Sequence, residues 1–235
     1  MIPRILHQTW KTAHVPDRYR QLVGRARELN PDWKYCLWTD NDCRNLIAQL
    51  HPRDLAMYDA LPLHIMRIDV IRYFIMQDVG GFYLDLDYEL LKPLEPYLGA
   101  SLVLPCNRDP KLGEQPSLGN AIFGSARGHA FWGRVLDALR QAPPLEGNYD
   151  FHGVIDATGP GFLSRVFSQI QEPWKQEIQT PDRWIFHPPR PPSPRRRQAI
   201  IDRGDSIGIH HCFFTWQSTI SVSRNSDKRP GRKGC

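Results

Sequence analysis

Residues 64–90 read HIMRIDVIRYFIMQDVGGFYLDLDYEL. Up to Val79 the apolar residues recur at helical spacing, and Gly80-Gly81 ends the helix predicted over His64–Val79. Beyond the glycines, FYLDLDYEL alternates apolar and polar residues, the pattern of a half-buried strand. At about 100° per residue, Ile65, Ile68, Ile71, Ile75 and Val79 make one apolar stripe. Arg72 falls inside that stripe and Asp69 at its margin. A charge on a buried face has to be paired, and residues three apart on a helix can pair. The two are therefore either a salt bridge tying helix to sheet or polar groups lining a pocket for a polyhydroxyl ligand. On the strand, Asp85 and Asp87 are expected on one face, with Phe82, Leu84 and Leu86 on the other. Neighbouring carboxylates repel unless a cation sits between them. Mg²⁺ and Mn²⁺ favour such oxygen ligands and commonly carry a diphosphate. A bare DxD is also common at a solvated strand end, so the pair alone does not decide.

The remaining segments alternate in the same way. Strands are predicted over Ile2–Trp10 and Trp33–Thr39, with a helix over Asp17–Leu29 between them. Asp40 or Asn41 is expected to cap the helix that follows. Further strands are expected near Leu102–Pro105, Asn120–Phe123 and Ser206–His210, with helices near His129–Gln141 and Gly159–Gln171. The proline- and arginine-rich stretch 187–197 reads as an extended loop. Alternating strands and helices without a repeat predict one α/β domain with a mixed, mostly parallel sheet flanked by helices. That domain is expected over residues 1–218, followed by a basic, flexible tail over 219–235.

Composition narrows the function classes. With 235 residues, 41% hydrophobic and 23% charged, the chain can bury one sizeable core. Collagen-like and wholly disordered classes drop out, and no apolar run is long enough to span a bilayer. The net charge of +5 is concentrated in RPPSPRRR (190–197) and RNSDKRPGRKGC (224–235), leaving the rest mildly acidic. Basic residues in a loop and a tail are not a folded nucleic-acid interface, but they suit peripheral contact with an anionic membrane. Cys36, Cys43, Cys106, Cys212 and Cys235 are scattered without CxxC spacing, which suits a reducing compartment better than a disulfide framework. MIPRILHQTW shows no basic leader or apolar signal core. The expected location is cytoplasmic, at the inner face of a membrane if the basic segments dock there.

The run RIDVIRYFIMQDVGGFYLDLD, with IPRILHQTWK and YCLWTDND before it, resembles the DXD-containing sugar transferases of glycosyltransferase family 32. Fungal initiating mannosyltransferases and bacterial capsule or lipopolysaccharide transferases belong there, and the glucosyltransferase domain of large clostridial toxins is more distantly similar. The likeness continues through SLGNAIFGSARGHAFW, ATGPGFLSR and IGIHHCFFTW, over roughly residues 1–218. It implies a GT-A fold and a divalent metal, Mn²⁺ or Mg²⁺. It also implies transfer of a sugar from a UDP- or GDP-sugar to a glycan or lipid-linked acceptor with retained anomeric configuration. By position it puts His7, Thr9 and Trp10 on the donor side, with Trp10 stacked on the base. Asp69 and Arg72 would hold the donor sugar, with Asn120 facing it. Asp85 would contact ribose or sugar, and Asp87 would be the direct metal ligand. His210 or His211 would complete the metal site, and Trp216 would cap the diphosphate. Thr158, Gly159 and Pro160 would lie toward the acceptor. Fungal members carry an anchor and stem that are not read here, which implies a bacterial-type cytoplasmic enzyme. Competing expectations are a metal-dependent phosphodiester or nucleotide-diphosphate hydrolase on Asp85, Asp87 and His210, and an inactive nucleotide-sugar-binding module.

Overall fold

The computed structural model describes residues 1–108, 110, 114–147, 149–171, 174–189 and 193–213. Strand and helix alternate through the first part: β1 (Ile5–Thr9), α1 (Asp17–Glu28), β2 (Lys34–Trp38), α2 (Asp40–Leu50), α3 (Leu55–Ala60), α4 (His64–Asp78) and β3 (Gly81–Leu84). Short strands follow: β4 (Tyr88–Leu90), β5 (Leu102–Val103), β6 (Cys106–Arg108), β7 (Ser117–Leu118) and β8 (Ile122–Ser125). The chain then runs through α5 (Ala130–Gln141), α6 (Phe151–Ala157), α7 (Pro160–Ser168), β9 (Ile178–Gln179), α8 (Arg183–Phe186), α9 (Pro194–Arg203) and β10 (Gly208–His210).

Six strands form the central sheet in the order β2-β1-β3-β8-β5-β9. Its β2–β1, β1–β3 and β5–β9 pairings are parallel, while β8 runs antiparallel between β3 and β5. The expected mixed, mostly parallel sheet with flanking helices is therefore present. One face of β3 sends Tyr83 into a core with Tyr73, Phe123 and Trp132, and the other sends Phe82 and Leu84 against Trp33, Tyr88 and Ile122. Period-two alternation holds along β3, as the sequence predicts.

Helix α4 is buried almost all round, since Met66 and every residue from Asp69 to Met76 are inaccessible. The apolar stripe read from its spacing is thus part of a packed helix, and Ile65, Ile68 and Val79 are its half-buried members. The helix ends where Gly80 and Gly81 take φ of +69° and +104°. A Cβ at Gly80 would run into the backbone of Arg127, and one at Gly81 into the carbonyl of Ile5. Only glycine combines that backbone with that clearance, so the pair turns α4 directly into β3.

Three sequence expectations are corrected. The strand over 82–90 is broken: β3 ends at Leu84, a turn closes with Tyr88 N–H on the Asp85 carbonyl, and β4 joins β10 in a separate two-stranded sheet. The helix after β2 is capped by Thr39, not by Asp40 or Asn41. Its hydroxyl accepts from Asp42 N–H, while the Asp42 carboxylate accepts from Thr39 N–H. The stretch 187–197 is not wholly a loop, because α9 begins at Pro194. Ser193 caps it by accepting from Arg196 N–H, and proline suits the first helical position, where its missing N–H costs nothing. The tail 219–235 and Trp216 lie outside the described residues. Among the described residues no helix is long and apolar enough to cross a membrane, and Cys36, Cys43, Cys106 and Cys212 form no disulfide.

Candidate active site

The carboxyl ends of β1 and β3 open into one cavity of about 720 Å³. At its centre Arg72 is held from every side. Its Nε donates to the Ile68 carbonyl at 3.1 Å and Nη1 to the Asn120 carbonyl at 2.6 Å. The guanidinium lies 3.3 Å from both Asp69 and Asp85 and stacks over the Tyr83 ring at 4.6 Å. Helix spacing brings Arg72 to Asp69, while the α4–β3 turn brings it to Asp85. A buried charge survives only with such partners, and here it has two.

Asp69 is satisfied in turn. Asn120 Nδ2 donates to one carboxylate oxygen and Thr158 Oγ1 to the other, each at 3.0 Å. Burial nonetheless pushes its pKa up to about 6, against the pull of Arg72 and these donors. Asp85 is also raised by burial, with Arg72 and His210 opposing, and it accepts from Tyr83 Oη at 2.9 Å. The Tyr83 hydroxyl is itself 2.9 Å from Thr9 Oγ1, so β1 and β3 share one polar chain.

Asp85, Asp87 and His210 each offer a ligand atom, all within 4.8 Å of one another. They converge by the turn at 85–87 and by pairing of β10 with β4, which sets His210 opposite Tyr88. His210 Nε2 donates to Asp87 Oδ1 at 3.2 Å, and Phe213 N–H donates to Oδ2 at 2.7 Å. Burial would raise the Asp87 pKa, but these donors outweigh it and hold the pKa below the usual carboxylate range. Burial likewise lowers that of His210, yet its bonds to Asp87 and Cys212 and the two carboxylate charges push it up to about 10. Two carboxylates and one imidazole suit a divalent ion of intermediate hardness, so the residues present fit Mn²⁺ or Mg²⁺.

The other expected site residues fall into three groups. Thr9, Trp10 and Pro160 line the cavity with Asn120. His7 does not: its Nε2 donates to the Gly80 carbonyl at 2.7 Å and its Nδ1 accepts from Trp38 Nε1 at 2.9 Å. Burial drops its pKa to about 4, so the imidazole is neutral and its two nitrogens are engaged within the fold. Thr158 is buried beneath Asp69, and Gly159 caps α7, so neither lines the cavity. His211 is turned from the Asp85–Asp87–His210 group to Glu89, at 3.0 Å, where Arg197 also pairs. Of the two histidines, His210 is the one in the cluster.

Several residues were not singled out from the sequence. Tyr83 alternates with core residues and gives no separate signal. Lys11 and Arg18 line the cavity beside Trp10, but their positions in surface segments do not announce it. His187 lies in WIFHPP, where nothing in the spacing marks a site.

Residues 16–104 match the family described as "Glycosyltransferase sugar-binding region containing DXD motif". This segment is a DXD sugar-binding region. The resemblance read from the sequence is borne out, and Asp69, Arg72, Asp85 and Asp87 all fall inside the matched span. The chain is 38% identical over 169 residues to Inositol phosphoceramide mannosyltransferase 3 of Schizosaccharomyces pombe, covering 71% of this chain and 45% of that protein. It is 32% identical over 181 residues to Mannosyl phosphorylinositol ceramide synthase SUR1 of Saccharomyces cerevisiae, covering 74% and 44%. The chain thus spans under half the length of these two relatives. Among solved structures, PaToxG Glycosyltransferase aligns with a TM-score of 0.49 at 13% identity, over 72% of this chain and 69% of that one.

Proposed function

We propose that this chain is a metal-dependent, retaining glycosyltransferase of GT-A type. It moves a hexose from a nucleoside diphosphate-sugar to a hydroxyl of a glycan or lipid-linked acceptor. The observation that carries the reading is one cavity holding both the buried Asp69–Arg72–Asp85 cluster and the Asp85–Asp87–His210 group. The names of the relatives point to mannose as the sugar and to an inositol phospholipid headgroup as the acceptor class.

Asp85, Asp87 and His210 would hold the divalent ion, whose Lewis acidity eases departure of the diphosphate. The chain's own residues do the rest. Trp10, half-buried and edge-on to Tyr19 at 5.4 Å, offers an aromatic face to the base. Lys11 and Arg18 beside it place positive charge where the phosphates would lie. Asp69 and Asn120 orient sugar hydroxyls, and Arg72 supplies a fixed positive charge that needs no reorganisation as the bond breaks. Retention through a covalent adduct would need a free carboxylate as nucleophile. Asp69 has both oxygens engaged by Asn120 and Thr158 and lies beside Arg72, which disfavours that role and supports attack from the same face as departure. Trapping a sugar ester on Asp69, Asp85 or Asp87 would refute this step.

Arg195 and Arg196 are exposed on α9 and extend the basic surface available to an anionic membrane, each worth about 1 kcal/mol near the headgroups. Unchanged vesicle binding after both are replaced by glutamine would remove that contact. For the activity itself, UDP- and GDP-sugars are screened by thermal shift and slow hydrolysis, with and without Mn²⁺, on wild type and Asp87→Ala. A metal-dependent response lost in the variant is expected. Silence toward every nucleotide-sugar would refute the function.

A further inference from the structure

His210 sits between two aromatic neighbours, its ring stacked on Tyr88 at 6.3 Å and edge-on to His187 at 6.4 Å. These contacts set the plane of the ring but not its direction. An imidazole turned over in that plane packs equally well, so only the hydrogen bonds at its two nitrogens tell the orientations apart. Nε2 points at the carboxylates, 3.2 Å from Asp87 Oδ1 and 3.9 Å from Asp85 Oδ2. Nδ1 lies 3.3 Å from Cys212 Sγ. The same sulfur is 3.7 Å from the His210 carbonyl, so the thiol can donate there while it accepts from the ring.

Cys212 holds this place against its backbone preference. Among the described residues it is the one non-glycine residue with positive φ, at +49°. A Cβ is disfavoured there, and glycine or asparagine adopts that conformation more readily. The turn itself serves Asp87: His211 N–H donates to the Asp87 carbonyl at 3.0 Å and Phe213 N–H to Oδ2 at 2.7 Å. Both bonds come from backbone amides, which a glycine at 212 would leave in place. What cysteine adds is a sulfur against the far nitrogen of His210. Strained residues gather at functional sites, and a histidine that ligates through one nitrogen needs a partner for the N–H of the other. Once Nε2 is committed to a cation it no longer donates to Asp87, and the bond at Nδ1 keeps the ring from turning over.

We propose that Cys212 is a positioning residue of the cation site: its sulfur accepts from Nδ1–H of His210 and holds Nε2 toward Asp85 and Asp87. The sulfur stands outside the group of ligand atoms that lie within 4.8 Å of one another, so it acts through the imidazole. This assignment rests on the metal-dependent function above and names the residue that sets its histidine.

Cys212→Gly deletes the sulfur and keeps the turn, Cys212→Ala deletes the sulfur alone, and Cys212→Ser keeps a group that can accept from Nδ1. Each is made in the full chain, alone and together with His210→Ala. Mn²⁺ affinity is read from the electron paramagnetic resonance of the free ion, and melting temperature is measured without metal. Cys212→Gly is expected to weaken Mn²⁺ binding about tenfold, the low end of the range for partners of ligating histidines. Its metal-free melting temperature should stay near the wild-type value, because relief of strain at 212 offsets the lost contact. Cys212→Ser should recover part of the affinity. With His210 already replaced by alanine, removing the sulfur should change Mn²⁺ affinity no further, since a residue acting through the imidazole has nothing left to act on. Unchanged Mn²⁺ affinity in Cys212→Gly and Cys212→Ala would overturn the proposal. So would a further loss of the same size in the His210→Ala background, which would make the effect independent of the ring. An intense sulfur-to-metal charge-transfer band in the Co²⁺-loaded wild type would overturn it too, by making Cys212 a ligand. If Cys212→Gly folds poorly, the comparison is read from Cys212→Ala, whose backbone strain matches wild type. A wild type that binds no Mn²⁺ would instead overturn the metal-dependent function itself, and this assignment with it.

Discussion

Replacing Arg72 with methionine is the most informative single change. The variant keeps much of the side-chain volume but deletes the charge between Asp69 and Asp85 and the bonds to the Ile68 and Asn120 carbonyls. Its side chain is 3% exposed and that of Asp69 5%, so solvent cannot substitute for it. Breaking a buried ion pair by removing one partner costs about 3–5 kcal/mol. In a chain of this size about 1 kcal/mol moves Tm by about 2–4 °C, so a fall of about 6–20 °C is expected. The loss should also depend on pH. The folded pKa of Asp69, about 6, lies above the ordinary carboxylate value, so its contribution is complete at low pH and is lost as pH rises through 6. Without Arg72 that pKa rises further, and the deficit must be larger at pH 7.5 than at pH 5. Urea unfolding of Arg72→Met, Asp69→Asn and the double variant at both pH values measures this. The double variant should lose about 1–3 kcal/mol less than the sum of the single losses. Additive losses, or a single-variant loss below about 1 kcal/mol at both pH values, would refute a buried, coupled pair.

Other consequences are simpler to read. Trp10→Ala should raise the donor KM about 5- to 150-fold, the loss of a base stack worth about 1–3 kcal/mol, and an unmoved KM would exclude stacking there. Asp87→Ala should abolish Mn²⁺-induced stabilisation in a thermal-shift assay. It should also lower Tm without metal, because Asp87 accepts from both His210 and Phe213 N–H. The metal-free protein should be most stable near pH 6.5. Below that pH the unfolded chain protonates His7, whose folded pKa is about 4, for a loss of roughly 3 kcal/mol by pH 4. Above it His210, raised to about 10, progressively gives up the proton that its folded environment favours. Calorimetric scans from pH 4 to 10 test the maximum, and His7→Gln should flatten its acid side.

Much of this was written into residues 64–90. The period of α4, the glycine stop and the alternation in β3 are local properties, so spacing and propensity reveal them. Thr39 as a cap and the start of α9 were also local, but their signals competed: Asp40 and Asn41 are good caps, and four prolines over residues 188–192 mask the one at the helix start, Pro194. The break after Leu84 was not local. Nothing in LDLDYEL shows that β10, about 120 residues later, pulls Tyr88–Leu90 into a second sheet. Histidine roles were equally hidden. His7, His187, His210 and His211 are the same residue type in different surroundings, and only long-range contacts bond one to Gly80 and Trp38, leave the Nε2 of another unpartnered among the described residues, bring a third to Asp85 and Asp87 and pair the fourth with Glu89.

The break after Leu84 also governs how the site comes apart. Asp85 and Asp87 hang from the central sheet, whereas His210 arrives on the last described strand, held by three residue pairs with β4. The Asp85–Asp87–His210 group is therefore a seam between a deep folding unit and a shallow one. Backbone amides of β3 should exchange with solvent only on global unfolding, while those of β10 can open locally and take His210 with them. A bound cation would sew that seam shut, slowing exchange at Gly208–His210 while leaving Gly81–Leu84 unmoved. Assembly of the site would then be part of the binding event, in a core that never has to loosen.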